Sequence, residues 1–183
     1  AVRELRRIHS EARIAVRVKD GVAGVLSEQG LADEIITFGN RESGLENRKK
    51  LKGFDTAVLF QNAFRAALLV RLAGIPERIG YRTDGRSLLL TRKADPRIRD
   101  LGRHQVYYYL DLLYQTGLSS IDYLNDTSFQ PDISIRPTRH GLLRAGEILR
   151  SEGIEDTSRP LVGINPGAFF GPAKRWLTER YGQ

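Results

Sequence analysis

The residues best suited to do chemistry lie in the stretch 162–176, VGINPGAFFGPAKRW. An apolar run at 161–164 predicts a buried parallel strand, which an Asn-Pro-Gly step ends, and Lys174 then precedes a predicted helix beginning near Trp176. A glycine-bearing loop at a helix N-terminus, with a lysine beside it, favours an anion through its amides, the helix dipole and the ammonium. The order of a Walker loop is absent. These residues alone leave an anion site and an ordinary turn with a solvated lysine equally open.

A second candidate is the basic segment 76–104, which carries eight Lys/Arg against four acidic residues in a chain of net charge +7. Such a concentration of charge suits a phosphorylated or carboxylated partner, whether nucleic acid, anionic lipid or a charged saccharide. A solvated surface that keeps the protein soluble is the simpler interpretation, and composition alone favours it. Cysteine is absent and the three histidines lack the spacing of metal ligands, so we predict no metal site.

The elements that must position these residues alternate between strands and helices over 1–117. Strands are predicted at 12–18, 33–38, 56–60 and 78–81, with 87–90 as a further candidate, and helices at 1–9, 22–30, 42–52, 63–73 and 103–116. In the helix at 63–73 the inward face is predicted to comprise Phe64, Ala67, Leu68 and Leu72, and Gly74 is suited to end it. In the helix at 103–116 it is predicted to comprise Val106, Tyr109, Leu110 and Leu113. The alternation predicts an α/β doubly wound domain.

A polar, turn-rich stretch at 118–131 precedes a second α/β segment. A strand is predicted at 132–136, a helix at 138–151 with Leu142, Ala145 and Leu149 facing inward, and a strand at 161–164. We place the domain boundary near 125–137, which gives domains 1–128 and 129–183. Since the chain starts within a helical pattern and ends just after another helix begins, we interpret it as an internal piece of a longer protein.

Two motifs, PGAFFGPAKRW at 166–176 and AGIPERIGYR at 73–82, resemble those of the ADP-heptose:lipopolysaccharide heptosyltransferases. The core Gly171–Trp176 is most similar to the type II members, and weaker similarity extends over Ala1–Arg7, QNAFR at 61–65 and HQVYYYL at 104–110. The resemblance implies a GT-B arrangement of two Rossmann-like domains. This chain would then hold the N-terminal domain without its first strand, and the start of the second domain.

The resemblance also implies an activity. The enzymes it points to transfer L-glycero-D-manno-heptose from ADP-heptose to the heptosyl-Kdo2-lipid A inner core of lipopolysaccharide, with inversion at the transferred sugar. The N-terminal domain holds the acceptor and the second domain holds the donor. The residues it assigns to substrate binding are Asn62, Arg65, Arg82 and Arg86 on the acceptor side and Gly167 and Gly171 on the donor side.

Residue types are consistent with these roles. Asn62 follows a predicted strand at the position where open α/β sheets bind ligands. Arginine makes bidentate contacts with phosphate and carboxylate, although each arginine could equally form a surface ion pair of little energetic consequence. Lys174 maps onto the lysine that contacts the donor diphosphate, where it would offset charge on the ADP leaving group. The resemblance places the general base before Ala1 and the nucleotide-sugar grip after Gln183, so the chain is expected to be inactive alone.

The implied partners are ADP-heptose and the lipid-linked acceptor, with no metal, no further cofactor and no nucleic acid. The implied location is cytoplasmic, with peripheral contact at the inner membrane of a Gram-negative bacterium, where the basic segment 76–104 would meet the anionic surface. Two alternatives stay open. One is an ADP-heptose transferase of type I or III. The other is a non-enzymatic basic α/β module that binds nucleic acid, which the high pI supports although no recognised nucleic-acid signature is present.

Overall fold

The structure, a computed structural model, describes residues 1–39, 43–97, 102–155, 160–164 and 180. The chain divides into two compact units, Ala1–Thr138 and Arg139–Gln183. These units are defined by packing within the chain, whereas the predicted domains 1–128 and 129–183 rest on sequence, and their limits stay a prediction.

Strands and helices alternate through the first unit, as the sequence predicts. In order they are α1 (Val2–Ile8), β1 (Ala15–Lys19), α2 (Asp20–Leu26), β2 (Glu34–Phe38), α3 (Gly44–Lys50), β3 (Thr56–Leu59), α4 (Phe64–Leu72), β4 (Glu77–Tyr81), a 3-10 helix (Arg86–Leu89), β5 (Arg92–Ala94) and α5 (Val106–Gln115). The start of α3 shows how nearby side chains determine where a helix begins. Ser43 accepts a hydrogen bond from the Glu46 amide, and the Glu46 carboxylate accepts one from the Ser43 amide, which forms a capping box.

The strands are parallel and form two sheets. In the first, β1 pairs with β2, and in the second the order is β3-β4-β5. The sequence predicts an α/β doubly wound domain, and within it the structure describes two separately hydrogen-bonded sheets. Because β3, β4 and β5 run in one direction, their carboxyl ends lie at one edge, which is the ligand-binding edge in open α/β sheets.

Helix α5 is packed on two sides. Leu112 lies with β4 residues Ile79 and Tyr81 in one buried cluster, and Leu110 and Leu113 lie in another. The sequence correctly predicts that Leu110 and Leu113 are buried, but it misses Leu112. A single amphipathic stripe describes a helix with one covered face, and two covered faces bury residues outside that stripe.

Helix α4 confirms part of the predicted inward face. Ala67 is buried and Leu68 is partly buried, as predicted. Phe64 is 43% exposed and Leu72 is 52% exposed, so these two assignments are wrong, and the buried Val70 takes their place. The end of the helix is as predicted. Gly74 has φ +82°, a conformation that favours glycine, and the amide after it bonds back to Val70 O at 3.2 Å.

The predicted strand at 87–90 is wrong, because those residues belong largely to the 3-10 helix and β5 follows at Arg92–Ala94. Asp84 and Gly85 turn the chain with φ values of +53° and +69°. This turn directs the Arg86 side chain into the interior rather than onto a sheet face, and Arg86 has no exposed surface.

The predicted strand at 132–136 is also absent, because side chains satisfy the backbone groups that a neighbouring strand would pair. The Gln29 amide donates to Arg136 O at 2.7 Å and accepts from Arg136 N at 3.1 Å. Arg3 forms an ion pair with Asp132 at 3.3 Å and donates to Ser134 O.

The described part of the second unit contains one helix, α6 (Arg139–Ser151), which matches the predicted helix. Its predicted inward face is not covered, since Leu142 is 59% exposed and Ala145 is exposed, while Leu149 is only partly buried. Residues 161–164 form no strand, and Val162 is 85% exposed. A parallel strand needs a neighbouring strand to satisfy its backbone, and the described residues of this unit provide none.

Candidate functional site

The candidate site lies where β3, β4 and β5 end. Asn62 lies in the loop that follows β3, Arg82 directly follows β4, and Asp95 directly follows β5. The register pairs Leu59 with Gly80, which brings the Asn62 loop beside the end of β4. The fold therefore places Asn62 and Arg82, which are separated by a helix and a strand in the sequence, at the same edge of the sheet.

The Asn62 side chain is partly buried and held at both ends. Its Nδ2 donates to the Tyr108 hydroxyl at 2.7 Å, and its Oδ1 accepts from Arg86 Nη2 at 3.0 Å. Tyr108 is in turn fixed by the Tyr81 ring, at a centroid distance of 4.3 Å, and by a hydrogen bond from the Tyr81 hydroxyl to Tyr108 O. Asn62 is thus a preorganised amide at the carboxyl edge of the sheet.

Arg86 differs from what the sequence predicts. The family resemblance implies a role in substrate binding for this side chain, whereas the structure leaves it no exposed surface. Its Nε donates to Tyr81 O at 2.8 Å and its Nη1 donates to Gln61 O. Burial lowers the pKa of this guanidinium, because removal from water disfavours the charged form.

Arg82 is accessible and paired. Its side chain is 58% exposed and forms an ion pair with Asp95, whose side chain is 54% exposed. The Asp95 backbone is fixed by Gln115, which donates to Asp95 O at 2.7 Å and accepts from Asp95 N at 3.0 Å. Since both charged groups are hydrated, the ion pair is weak enough for an anionic ligand to replace Asp95.

Arg65 is exposed in the first turn of α4, beside the Asn62 loop, and it makes no ion pair with any residue that the structure describes. Thr83, which follows Arg82, places a buried hydroxyl at this edge of the sheet. Its Oγ1 is buried and has no hydrogen-bond partner among the described residues. A buried hydroxyl without a partner is uncommon and indicates a place where a ligand or water would complete the bonding.

The donor-side predictions lie elsewhere in the chain. Gly167, Gly171 and Lys174 fall within 165–179, outside the described residues. Their roles stay predictions.

The polar groups that support the site are not among the residues that the sequence predicts. Asp111 is fully buried and pairs with Arg97, and its Oδ2 accepts from Gln115 at 2.6 Å. This network anchors Asp95, and through it Arg82. A buried Asp within an apolar helix, as in YYYLDLLY, was the available signal for a buried partner.

Among the described helices, none combines the length and apolarity needed to cross a bilayer. No group of three potential metal-ligating side chains occurs within the described part of the chain.

Comparison with known proteins gives consistent matches. Residues 45–183 match the sequence profile of glycosyltransferase family 9 (heptosyltransferase). The chain is 30% identical to lipopolysaccharide heptosyltransferase 2 of Salmonella typhimurium and 30% identical to that of Escherichia coli, over 99% of its own length and 53% of each relative.

Solved structures agree. The chain matches the E. coli ADP-heptose LPS heptosyltransferase II with a TM-score of 0.67 and 26% identity, over 98% of this chain and 53% of that one. A glycosyl transferase family 9 structure from Veillonella parvula matches with a TM-score of 0.74 over the same shares, and at 20% identity it bears on the fold alone. The chain spans about half the length of the curated relatives it matches.

Proposed function

The chain belongs to glycosyltransferase family 9, the heptosyltransferases, and we propose that its protein transfers L-glycero-D-manno-heptose from ADP-heptose to the heptosylated Kdo-lipid A inner core of lipopolysaccharide. The family and the GT-B type of α/β fold are those that the sequence motifs predict, and the comparisons confirm both. The donor, the acceptor and the type II assignment belong to the proposal, which the relatives named heptosyltransferase 2 support.

One observation carries the acceptor side of this proposal. Asn62 and Arg82 both lie at the carboxyl edge of β3 and β4, with exposed Arg65 close by in the chain. The amide can donate to saccharide oxygens, and the guanidinium can bind the phosphate or carboxylate of an acidic inner core. We propose that these three residues contact the acceptor.

The proposed chemistry is a direct displacement. An acceptor hydroxyl oxygen attacks C1 of the heptose as the bond between C1 and the ADP oxygen breaks, which inverts the configuration at C1. The hydroxyl proton passes to a general base, which we place outside this chain. ADP leaves with the bonding electrons, and we propose that Lys174 stabilises its diphosphate with the loop of Gly167 and Gly171. The proposed reaction uses neither a metal nor a further cofactor.

The arginines of segment 76–104 bear on the alternative of nucleic-acid binding. Arg92 and Arg97 form ion pairs with Glu77 and Asp111, and Arg86 is buried, so much of this charge is used within the fold. That arrangement favours a localised anion site over an extended basic surface for nucleic acid. We keep peripheral contact with the cytoplasmic face of the inner membrane as part of the proposal.

A transfer assay tests the function. The complete protein is given ADP-heptose with Kdo-lipid A that carries one heptose or none, and the products are separated by mass. Transfer only to the heptosylated acceptor supports type II. Transfer to the bare Kdo acceptor keeps the family and points to type I. Absence of both transfer and ADP-heptose binding would overturn the proposed substrates.

A further inference from the structure

Arg86 is a buried cation whose hydrogen-bond partners in the described structure are all neutral. They are the carbonyl oxygens of Tyr81 and Gln61 and the side-chain oxygen of Asn62. Burying a guanidinium is unfavourable unless its N–H groups are satisfied, so a sequence that keeps one here must gain something from the arrangement. The three acceptors show what is gained. They link Tyr81, at the end of β4, to Gln61 and Asn62, which follow Phe60 in the loop after β3.

The arrangement fixes the orientation of the Asn62 amide. A guanidinium has donors only, so the Asn62 atom that faces it must be the oxygen. The nitrogen then faces the Tyr108 hydroxyl, which accepts its hydrogen bond at 2.7 Å. If Arg86 were removed, the amide could rotate and exchange its donor and acceptor.

We infer that Arg86 is a positioning residue, which sets the Asn62 amide so that the second Nδ2 hydrogen is offered to an oxygen of the acceptor saccharide. The inference rests on the proposed function for the identity of that saccharide, and on the hydrogen bonds above for the geometry. It replaces the direct contact that the family resemblance implies for Arg86, since this side chain has no exposed surface.

A purely structural arginine is the competing explanation, and the chain provides a matched control. Arg78 also donates to three neutral carbonyl oxygens, those of Leu89, Ile75 and Pro76, at 2.6–2.8 Å. It has no hydrogen bond with Asn62. Loss of either guanidinium removes similar bonds from the fold, but only loss of Arg86 releases the Asn62 amide.

The first experiment observes Asn62 directly in the complete protein. The side-chain amide pair is recorded by 15N–1H NMR and assigned by its loss in Asn62→Asp. Arg86→Lys retains a positive charge but presents a single ammonium in place of the planar fork. We expect the Asn62 pair to shift to positions typical of a free amide in Arg86→Lys and Arg86→Met, and to stay in place in Arg78→Met. An unchanged pair in the folded Arg86→Lys variant, or an equal shift in Arg78→Met, would overturn the inference.

The second experiment measures transfer by the complete enzyme. Asn62→Ala and Arg86→Lys are each expected to raise KM for the acceptor by about tenfold, the effect of one hydrogen bond to a charged or well-ordered group. The double variant is expected to match Asn62→Ala alone, because both changes remove the same contact. Independent, multiplying effects would identify Arg86 as merely structural.

The two experiments separate the inference from the function. If the enzyme transfers no heptose but the NMR pair shifts as expected, the proposed substrate fails and the positioning of Asn62 by Arg86 stands. If heptose is transferred and the NMR pair does not respond, the function stands and Arg86 has no positioning role.

Discussion

The ion pair between Arg82 and Asp95 gives the sharpest test of the acceptor site, because its two members should respond in opposite directions. We expect Arg82→Ala to weaken use of the acceptor and Asp95→Asn to strengthen it. Asp95 competes with an anionic ligand for the same guanidinium, so loss of its charge leaves Arg82 free to bind the ligand. Gln115 bonds to the Asp95 backbone, which keeps residue 95 in place when its side chain changes.

The exposure of the Arg82–Asp95 ion pair determines how far each substitution should change KM and the free energy of unfolding. Both side chains are more than half exposed, so their coupling contributes about 0.2–1 kcal/mol, and neither substitution should lower the free energy of unfolding by more than about 1 kcal/mol. A guanidinium hydrogen-bonded to a phosphate or carboxylate contributes about 1.5–3 kcal/mol, which corresponds to a KM raised roughly 10- to 150-fold in Arg82→Ala. Asp95→Asn should lower KM by at most about fivefold, the equivalent of 1 kcal/mol.

The assay is the initial rate of transfer by the complete enzyme as acceptor concentration varies, with ADP-heptose fixed. Urea unfolding measures stability, and calorimetry with ADP measures the donor side. Arg13→Ala is the matched control, since Arg13 forms an exposed ion pair with Glu34 at the amino end of β2, away from the candidate site. A raised KM in Asp95→Asn would show that Asp95 positions Arg82 rather than competing with the ligand. Weaker ADP binding with unchanged acceptor KM in Arg82→Ala would refute the acceptor assignment.

Three further predictions test the donor side, the core and the pH dependence. Lys174→Ala should lower kcat by about 10²–10³-fold with unfolding unchanged, and normal turnover would remove Lys174 from the site. Leu112→Ala should lower the free energy of unfolding by about 2–5 kcal/mol, whereas Leu88→Ala, at a position 89% exposed, should change it by less than about 0.5 kcal/mol in the same urea titration. The Ile14 amide, 2.7 Å from Asp33, lowers the pKa of that carboxyl, so its stabilising contribution is present above its ordinary pKa and is lost as pH falls through the lowered value. Asp33→Asn should therefore flatten the loss of stability as pH falls below the ordinary pKa of an aspartate, and an identical acid profile for the two proteins would contradict this.

The fold of the first unit could be predicted because each element carries its own local signal. The apolar run of β3 and the glycine that ends α4 are properties of short segments, and the structure confirms what they predict. The strands at 132–136 and 161–164 were predicted from the same kind of pattern and are absent. A strand depends on a partner strand, and the pattern of one segment contains no information about that partner.

The arginines of the candidate site show the same limit of prediction from sequence. Arg78, Arg82 and Arg86 occur four residues apart, and the sequence assigned Arg82 and Arg86 to one role. The structure gives the three different environments: Arg78 binds main-chain carbonyls, Arg82 is exposed beside Asp95, and Arg86 is buried against Asn62. What separates Arg82 from Arg86 is the turn at 84–85, whose two left-handed residues reverse the chain and carry the second arginine inward. A short motif can identify a charged site. The path of the backbone decides which charged side chain contacts the ligand and which one positions another group that contacts it.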